Sequence, residues 1–421
     1  MQPPQETEVL IVGAGAGGLI LALSLHEIGV SCRVYDAVPE LKAVGVGINL
    51  LPHAVRELDE LDLVPALDQV GIRTKDASYY NRFGQHIFTE PAGEAAGYPW
   101  PQFSLHRGDM QMVFLDAVRE RLGQDSVVTG HRLVDVDLHD DAVTAHFVDP
   151  QGNELPSVRA SMLIGADGIK SVLRSTFYPD EGDPIYSGLT IWRGATPMPP
   201  FLSGANTIRI GWMSVGKLMV YPIRDDIDGQ GNQLMNFVAT LERPRPDSYD
   251  WNAEGRLEDF YSYYADWDFD FLDIPGMLKK TEKIMIYPMV DRDPLPTWTL
   301  GRATLLGDAA HPMYPRGSNG AGQAILDARF LAGAIKRHGV TEEALREYDG
   351  VRVEATAKVV RMNRANPPDA ILREVHERSG DKPFDQLSDL ISDEELKAIG
   401  ERYRSVAGFQ VDELKKRASL V

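Results

Sequence analysis

The sequence predicts an α/β protein: a parallel, nucleotide-binding sheet, an inserted second β-sheet unit, and a helical C-terminal segment. Three observations predict it. A glycine-rich turn joins a buried strand to a helix near the N-terminus. Two later strands run into loops that carry an acid at the strand end. Outside these junctions the pattern changes, first to alternating strands and finally to charged helices.

The chain has 421 residues, enough for two or three domains and an internal pocket. Its net charge of −19 argues against nucleic acid and against docking on anionic membranes. Cys32 is the single cysteine, so no intrachain disulfide is expected, and a reducing, cytoplasmic location is the simpler reading. Val9 to Leu25 is almost wholly apolar and nearly long enough to span a membrane. Glu6 and Glu8 precede it and Gly13, Gly15, Gly17 and Gly18 interrupt it, so neither a signal peptide nor a span is expected.

Glu8 to Val12 reads as a strand buried on both faces. Gly13-Ala14-Gly15-Ala16-Gly17-Gly18 follows as G-x-G-x-x-G, then a helix over Leu19 to Ile28 capped by Gly29. Ser31 to Tyr35 is a second strand, closed by Asp36. Gly13 makes the tight turn, Gly15 lets backbone approach a pyrophosphate, and Gly18 lets helix pack on strand. The helix N-terminus supplies free N–H groups for phosphates, and Asp36 stands where an acid binds ribose hydroxyls. This Rossmann-like motif predicts dinucleotide binding and by itself does not separate FAD from NAD.

Met162-Leu163-Ile164 is another buried strand, running into Gly165-Ala166-Asp167-Gly168 and a helical pattern over Ser171 to Phe177. Ala303 to Leu306 runs into Gly307-Asp308-Ala309-Ala310-His311-Pro312, then Arg316 to Gly322 and an apolar helix, Ala324 to Ile335. Both acids fall at carboxyl ends of strands, where open α/β sheets bind ligands. Each alone also fits a helix N-cap or turn. No second strand–GxGxxG–helix–acid unit occurs, so a single dinucleotide has a dedicated site.

This set resembles the single-component (class A) FAD-dependent aromatic hydroxylases, the relatives of p-hydroxybenzoate and salicylate hydroxylase. GVGINLLPHAV (45–55), SLHRGDMQ (104–111) and YPMVDRDPLP (287–296) resemble the phenazine-type monooxygenases of that group. The resemblance covers about residues 8 to 365. It implies tightly bound FAD, with NADPH or NADH as a transient reductant. It further implies O2 and a small electron-rich aromatic or N-heteroaromatic substrate, hydroxylated through a flavin C4a-hydroperoxide. Gly13, Gly15, Gly18 and Asp36 would hold the ADP half, and Asp308 the ribityl chain. Pro315, Gly317, Asn319, Gly320 and Ala321 would curl around the flavin ring. Asp167 would lie near the pyrophosphate, Arg107 on phosphate or ribityl oxygens, and Gly47 along the flavin. Ile48 stands where some pyridine-hydroxylating relatives have a histidine base.

Thr207 to Met213 and Leu218 to Ile223 suggest a hairpin around Gly216-Lys217, with a third strand over Gln233 to Leu241. Such a sheet would roof the flavin, with Met219 and Tyr221 on one face and Leu218 and Val220 on the other. Trp192, Arg193, Met219 and Tyr221 are the expected substrate contacts. Tyr221 is either the group that orients the substrate or a core aromatic. Arg193 either pairs with a substrate carboxylate or forms a structural ion pair. His106 and His311 read as turn or packing residues. Leu257, Phe260, Tyr261 and Tyr264 read as one stripe of a core helix, and no metal-ligand spacing occurs.

The expected division puts residues 1–75, 101–180 and 285–340 in the FAD-binding domain and 76–100 and 181–284 in the substrate domain. Residues 341–421 form the C-terminal segment: Thr341 caps a helix stopped by Pro367-Pro368, and the rest packs across the FAD domain or forms a dimer contact. Monomer and homodimer stay open. The rival readings are a flavin-dependent reductase on the same scaffold and a catalytically silent nucleotide-binding protein.

Overall fold

The structure is a computed structural model that describes residues 5–246 and 253–421. At its centre lies β1 (Gln5–Val12), parallel to β2 (Cys32–Tyr35) on one side and β11 (Val158–Gly165) on the other. β8 (Val127–Val128) and β18 (Ala303–Leu305) extend this parallel sheet outward. β17 (Thr299–Leu300), β9 (Arg132–Leu138) and β10 (Val143–Val148) add antiparallel pairing. Val9, Leu10 and Ile11 are fully buried in one core with the helices Ala16–Glu27 and Gly320–His338 and with Val136, Val143 and Phe147 of β9 and β10, which is why this strand has no polar alternation.

The second sheet runs in the order β16 (Ile284–Asp291), β12 (Ile185–Met198), β15 (Gln233–Glu242), β14 (Gly216–Arg224), β13 (Asn206–Trp212), β5 (Asp76–Tyr80), β6 (His86–Pro91). The expected hairpin and third strand are β13, β14 and β15. β16 hydrogen-bonds to β12 of this sheet, although residues from 285 were expected with the parallel sheet. A small third sheet, β3 (Gly47–Leu50), β7 (Phe103–His106) and β4 (Gly71–Arg73), lies in the region between. Arg224 at the end of β14 grips Asp109 with two bonds of 2.6 Å, tying the second sheet to the helix Arg107–Leu122.

Strand pleat gives the second sheet two different faces. Tyr80, Ile210, Leu218, Ala239, Trp192 and Ile286 form one cross-strand row. It belongs to an apolar core completed by Phe260 and Tyr264. One residue over, Tyr79, Arg209, Met219, Val238, Arg193 and Met285 form a row on the opposite face. Trp192 and Arg193 therefore point in opposite directions. The expectation that both contact substrate is corrected: Trp192 is buried in the core, its ring stacked 5.3 Å from that of Phe260.

The aromatic run after residue 256 is also corrected in part. Phe260 and Tyr264 are fully buried, but Leu257–Asp259 and Tyr261–Tyr263 are short 3₁₀ turns instead of one helix. A spacing of three suits either winding, so the pattern did not separate them.

The C-terminal segment folds as the helices Glu342–Ala365, Ala370–Ser379, Asp393–Ala407 and Val411–Lys416. Thr341 Oγ1 accepts from Ala344 N, and Pro367-Pro368 follows the first of these helices. Ile371, Leu372 and Val375 pack on Tyr79 and Ile87 of the second sheet, so much of this segment is covered within its own chain. Among the described residues no helix is long and apolar enough to cross a membrane.

Placing Trp192 in the core has a measurable consequence. Trp192→Ala should cost roughly 3–5 kcal/mol in urea unfolding, as large buried aromatics do, and leave the bound flavin's spectrum unchanged. A stability loss under 1 kcal/mol with a changed flavin spectrum would return Trp192 to the pocket.

Candidate active site

The three motif turns meet at one edge of the parallel sheet. Ala166 N donates to the Val12 carbonyl at 2.7 Å, and Leu306 N donates to the Gly165 carbonyl at 2.9 Å. Gly13 has φ +111°, and a Cβ there would lie 2.2 Å from Ala166 O. Only glycine lets these two turns lie so close. A Cβ on Gly18 would lie 2.0 Å from Gly13 O, which is the close helix–strand contact expected of it.

What these turns leave open fits FAD. The helix Ala16–Glu27 starts at Gly15 with no side-chain cap and no acid in its first turn. A Cβ on Gly15 would meet nothing within 4 Å, so the turn borders free space. Uncapped N–H groups facing space are an anion site. Asp36 accepts from Ala14 N at 2.7 Å and Val38 N at 2.9 Å, so the acid stands beside this turn with lone pairs to spare. Asp167 Oδ2 accepts from Val172 N at 2.8 Å, while its buried Oδ1 has no partner. Burial pushes the Asp167 carboxyl up.

Asp308 is solvent-accessible although it sits between buried neighbours, the position of a group on a cleft floor. Its carboxylate accepts no hydrogen bond from the described residues. The protein walls around it disfavour its charge and push its pKa up, and His311 and Arg107 oppose that shift. A second uncapped helix, Gly320–His338, begins close by: a Cβ on Gly320 would lie 3.7 Å from Asp308 Oδ1. The Arg107 guanidinium has no carboxylate partner among the described residues. Burial lowers its pKa, Arg193 adds to that, and Asp308 works against it.

Gly45 to Gly47 form a strap pinned to the second sheet. Gly47 N donates to Asn236 Oδ1 at 2.8 Å, and Arg193 Nη2 donates to the Gly47 carbonyl. A Cβ on Gly47 would lie 2.7 Å from Tyr221 Cε2. Asn236 was not singled out from sequence; a fully buried amide inside the apolar run Gln233 to Leu241 was the available signal. Tyr221 is buried, and its hydroxyl has one long contact, 3.5 Å to Arg193 Nη2. Met219 and Ile48 are half-buried.

In the loop Pro315 to Ala321, Ser318 holds φ +52°, a strained value for a residue with a side chain. Gly317 passes so near Tyr403 that a Cβ would overlap its hydroxyl. The Asn319 side chain turns away from the cleft: Oδ1 receives His53 Nε2 at 3.0 Å and Gln323 Nε2 at 3.2 Å. Only its backbone is left to face the cleft. His311 is buried against Asp327 at 2.5 Å, and Asp327 also accepts Gly307 N at 3.0 Å, so both fix the turn that carries Asp308. His106 bonds the Gly45 carbonyl at 3.0 Å.

His53 supports the loop from behind and carries a pH signature. It is fully buried and stacks on Phe409, with ring centroids 5.1 Å apart. Burial, with Arg417 and Arg352 nearby, pushes its pKa down to about 3. The folded value is below the unfolded one, so its stabilising effect is complete above pH 6.5 and is lost as pH falls towards 3. Between pH 7 and 5 the wild type should lose about 2 kcal/mol more than His53→Gln, which keeps an amide donor for Asn319. Urea titrations at both pH values check this; parallel losses would show that His53 is not held neutral.

The family described as FAD binding domain matches residues 6–182. The phenazine 1,6-dicarboxylic acid hydroxylase PhzS of Lysobacter antibioticus is 41% identical over 369 residues, covering 86% of this chain and 91% of that protein. The 3-amino-4-hydroxybenzoate 2-monooxygenase of Streptomyces cremeus is 31% identical over 366 residues, covering 86% of each chain. Klebsiella pneumoniae HpxO, solved with FAD and uric acid, superposes with a TM-score of 0.74 at 22% identity, covering 97% of both chains. A salicylate hydroxylase substrate complex gives 0.71 at 21% identity, covering 99% of this chain and 100% of that one. At such identities the solved structures speak for the fold. The sequence relatives establish the rest: the chain belongs to the FAD-dependent aromatic monooxygenases, flavoenzymes that draw electrons from NAD(P)H.

Proposed function

We propose that the substrate is an electron-rich aromatic or N-heteroaromatic carboxylate, hydroxylated with O2 beside the row of Arg209, Met219, Val238 and Arg193. The observation that carries this reading is uncompensated positive charge and unsatisfied polarity on that one sheet face. In a chain of net charge −19, Arg193 and Arg209 have no carboxylate partner among the described residues. Arg209 Nη1 instead donates to the Tyr79 hydroxyl at 3.1 Å. Arg193 Nε, Thr207 Oγ1 and Asn236 Nδ2 are buried without partners. Buried polar groups rarely stay unpaired, so a polar ligand is the natural complement. The dicarboxylate named for the Lysobacter relative and the aminohydroxybenzoate named for the Streptomyces one have this chemistry.

Gly13, Gly15, Gly18 and Asp36 would hold the ADP half of FAD, and Asp308 and Arg107 the chain towards the ring. Asp167, Gly47 and the backbone of Pro315, Gly317, Asn319, Gly320 and Ala321 would border the rest. FAD supplies the redox chemistry when bound. The chain's part is position and polarity. Arg193 and Arg209 anchor the carboxylate. Met219 and Val238 keep the wall apolar and exclude water. Burial pushes the Tyr221 hydroxyl up, so it stays protonated and donates a hydrogen bond that orients the ring.

The test is NAD(P)H oxidation by the holoenzyme with benzoates, nicotinates and phenazines, each with and without the carboxylate. Loss of the carboxylate should raise KM roughly 10–150-fold, the worth of a charge-assisted hydrogen bond of about 1.5–3 kcal/mol. Equal stimulation by the neutral analogues would refute the anchor. Tyr221→Phe should retain FAD while slowing hydroxylation and diverting reductant to hydrogen peroxide. Wild-type coupling in that variant would assign Tyr221 to packing alone.

A further inference from the structure

Three segments far apart in the sequence meet on one carboxylate. Asp369, just after Pro367-Pro368, is fully buried. Its Oδ2 binds the ammonium of Lys217, at the start of β14. Its Oδ1 accepts from Arg316 Nη2 at 3.1 Å, and Arg316 belongs to the loop Pro315 to Ala321. Lys217 lies on the same pleat face as Met219 and Tyr221. The Arg316 guanidinium also sits 5.7 Å from the ring of Trp212 in β13.

The two cations repel each other, and the carboxylate is the group they share. The carboxylate is held tightly, because removing it leaves two cations out of water without a counter-ion. Its hydrogen bonds fix direction as well as distance. The loop and the wall are therefore joined through a residue that itself belongs to neither.

We infer that Asp369 is a positioning residue that locks the loop bordering the flavin to the wall that holds the substrate. This rests on the reading that the loop Pro315 to Ala321 borders the flavin and that the Arg209 face receives the substrate. Reaction between two bound partners is sensitive to their separation, and a displacement of about 1 Å costs on the order of 100-fold. When the substrate is out of reach, NAD(P)H and a proton are consumed with O2 to give NAD(P)⁺ and hydrogen peroxide. Both electrons then leave on oxygen, and no ring carbon–oxygen bond forms.

The experiment is a double-mutant cycle on the holoenzyme: Lys217→Met, Arg316→Met and the two combined, with Asp369→Asn alongside. Two readouts are taken: hydrogen peroxide per NAD(P)H oxidised, and the visible absorbance band of the resting bound flavin. Each single variant should raise the peroxide fraction at least threefold and shift the flavin band. The double variant should go no further than the larger single change, because both cations act through the same carboxylate. Additive effects, or unchanged values in both Lys217→Met and Arg316→Met, would overturn the inference. A general loss of folding would lower flavin occupancy without making the two cation effects redundant. If Asp369→Asn does not fold, the cycle between the cations decides alone. A wild type that no aromatic acid stimulates sinks the substrate reading, while the resting flavin band still decides the lock.

Discussion

Two backbone hydrogen bonds between strand ends carry the architecture of the cleft: Ala166 N to the Val12 carbonyl and Leu306 N to the Gly165 carbonyl. They continue the parallel pairing of β1, β11 and β18 one residue past the sheet and bring three loops to one edge. Gly13 has to be glycine because Ala166 stands where its side chain would be. Gly15 differs: the space over it is open, and no atom of the chain demands glycine there. Two helices then begin at that edge without side-chain caps, and their unpaired N–H groups face the space.

The second sheet meets this edge through the Gly45–Gly47 strap. Both polar groups of Gly47 are bonded by side chains of that sheet, Asn236 and Arg193. The strap thus shares its supports with the wall beside it, and neither can shift without disturbing the other. From the far side, Tyr403, Asn363 and His53, the last stacked on Phe409, back the loop Pro315 to Ala321, so the C-terminal helices belong to the cleft's frame. The resemblance covers little of this segment, yet its contacts are among the most buried in the molecule.

Legibility in the sequence followed the range over which each feature acts. The glycine motif, Asp36, the GADG and GDAAHP junctions and the hairpin around Gly216 are local, and each has a physical signature within a dozen residues. Sheet membership of β16 depends on pairing with a strand about a hundred residues earlier, and nothing within residues 284–291 encodes it. Asn236, Arg209 and Asp369 carry no local signal, because each looks ordinary until its partner arrives from another segment. Asp369 resembles a solvated acid after two prolines; only the fold brings Lys217 and Arg316 to it. Trp192 shows a different failure. It and Arg193 are adjacent in one strand, so the pleat sends them to opposite surfaces although the sequence lists them side by side.

That pleat has one more consequence. Residues that face the cleft and residues that hold the sheet together alternate along the same strands, so they can vary independently. Exchanging Met219, Val238 or Arg209 leaves Leu218, Ala239 and Ile210 in place. A lineage can therefore acquire a new aromatic substrate by point replacements on alternate positions without first rebuilding its scaffold. Descendants of one ancestor can then diverge in diet while keeping one skeleton.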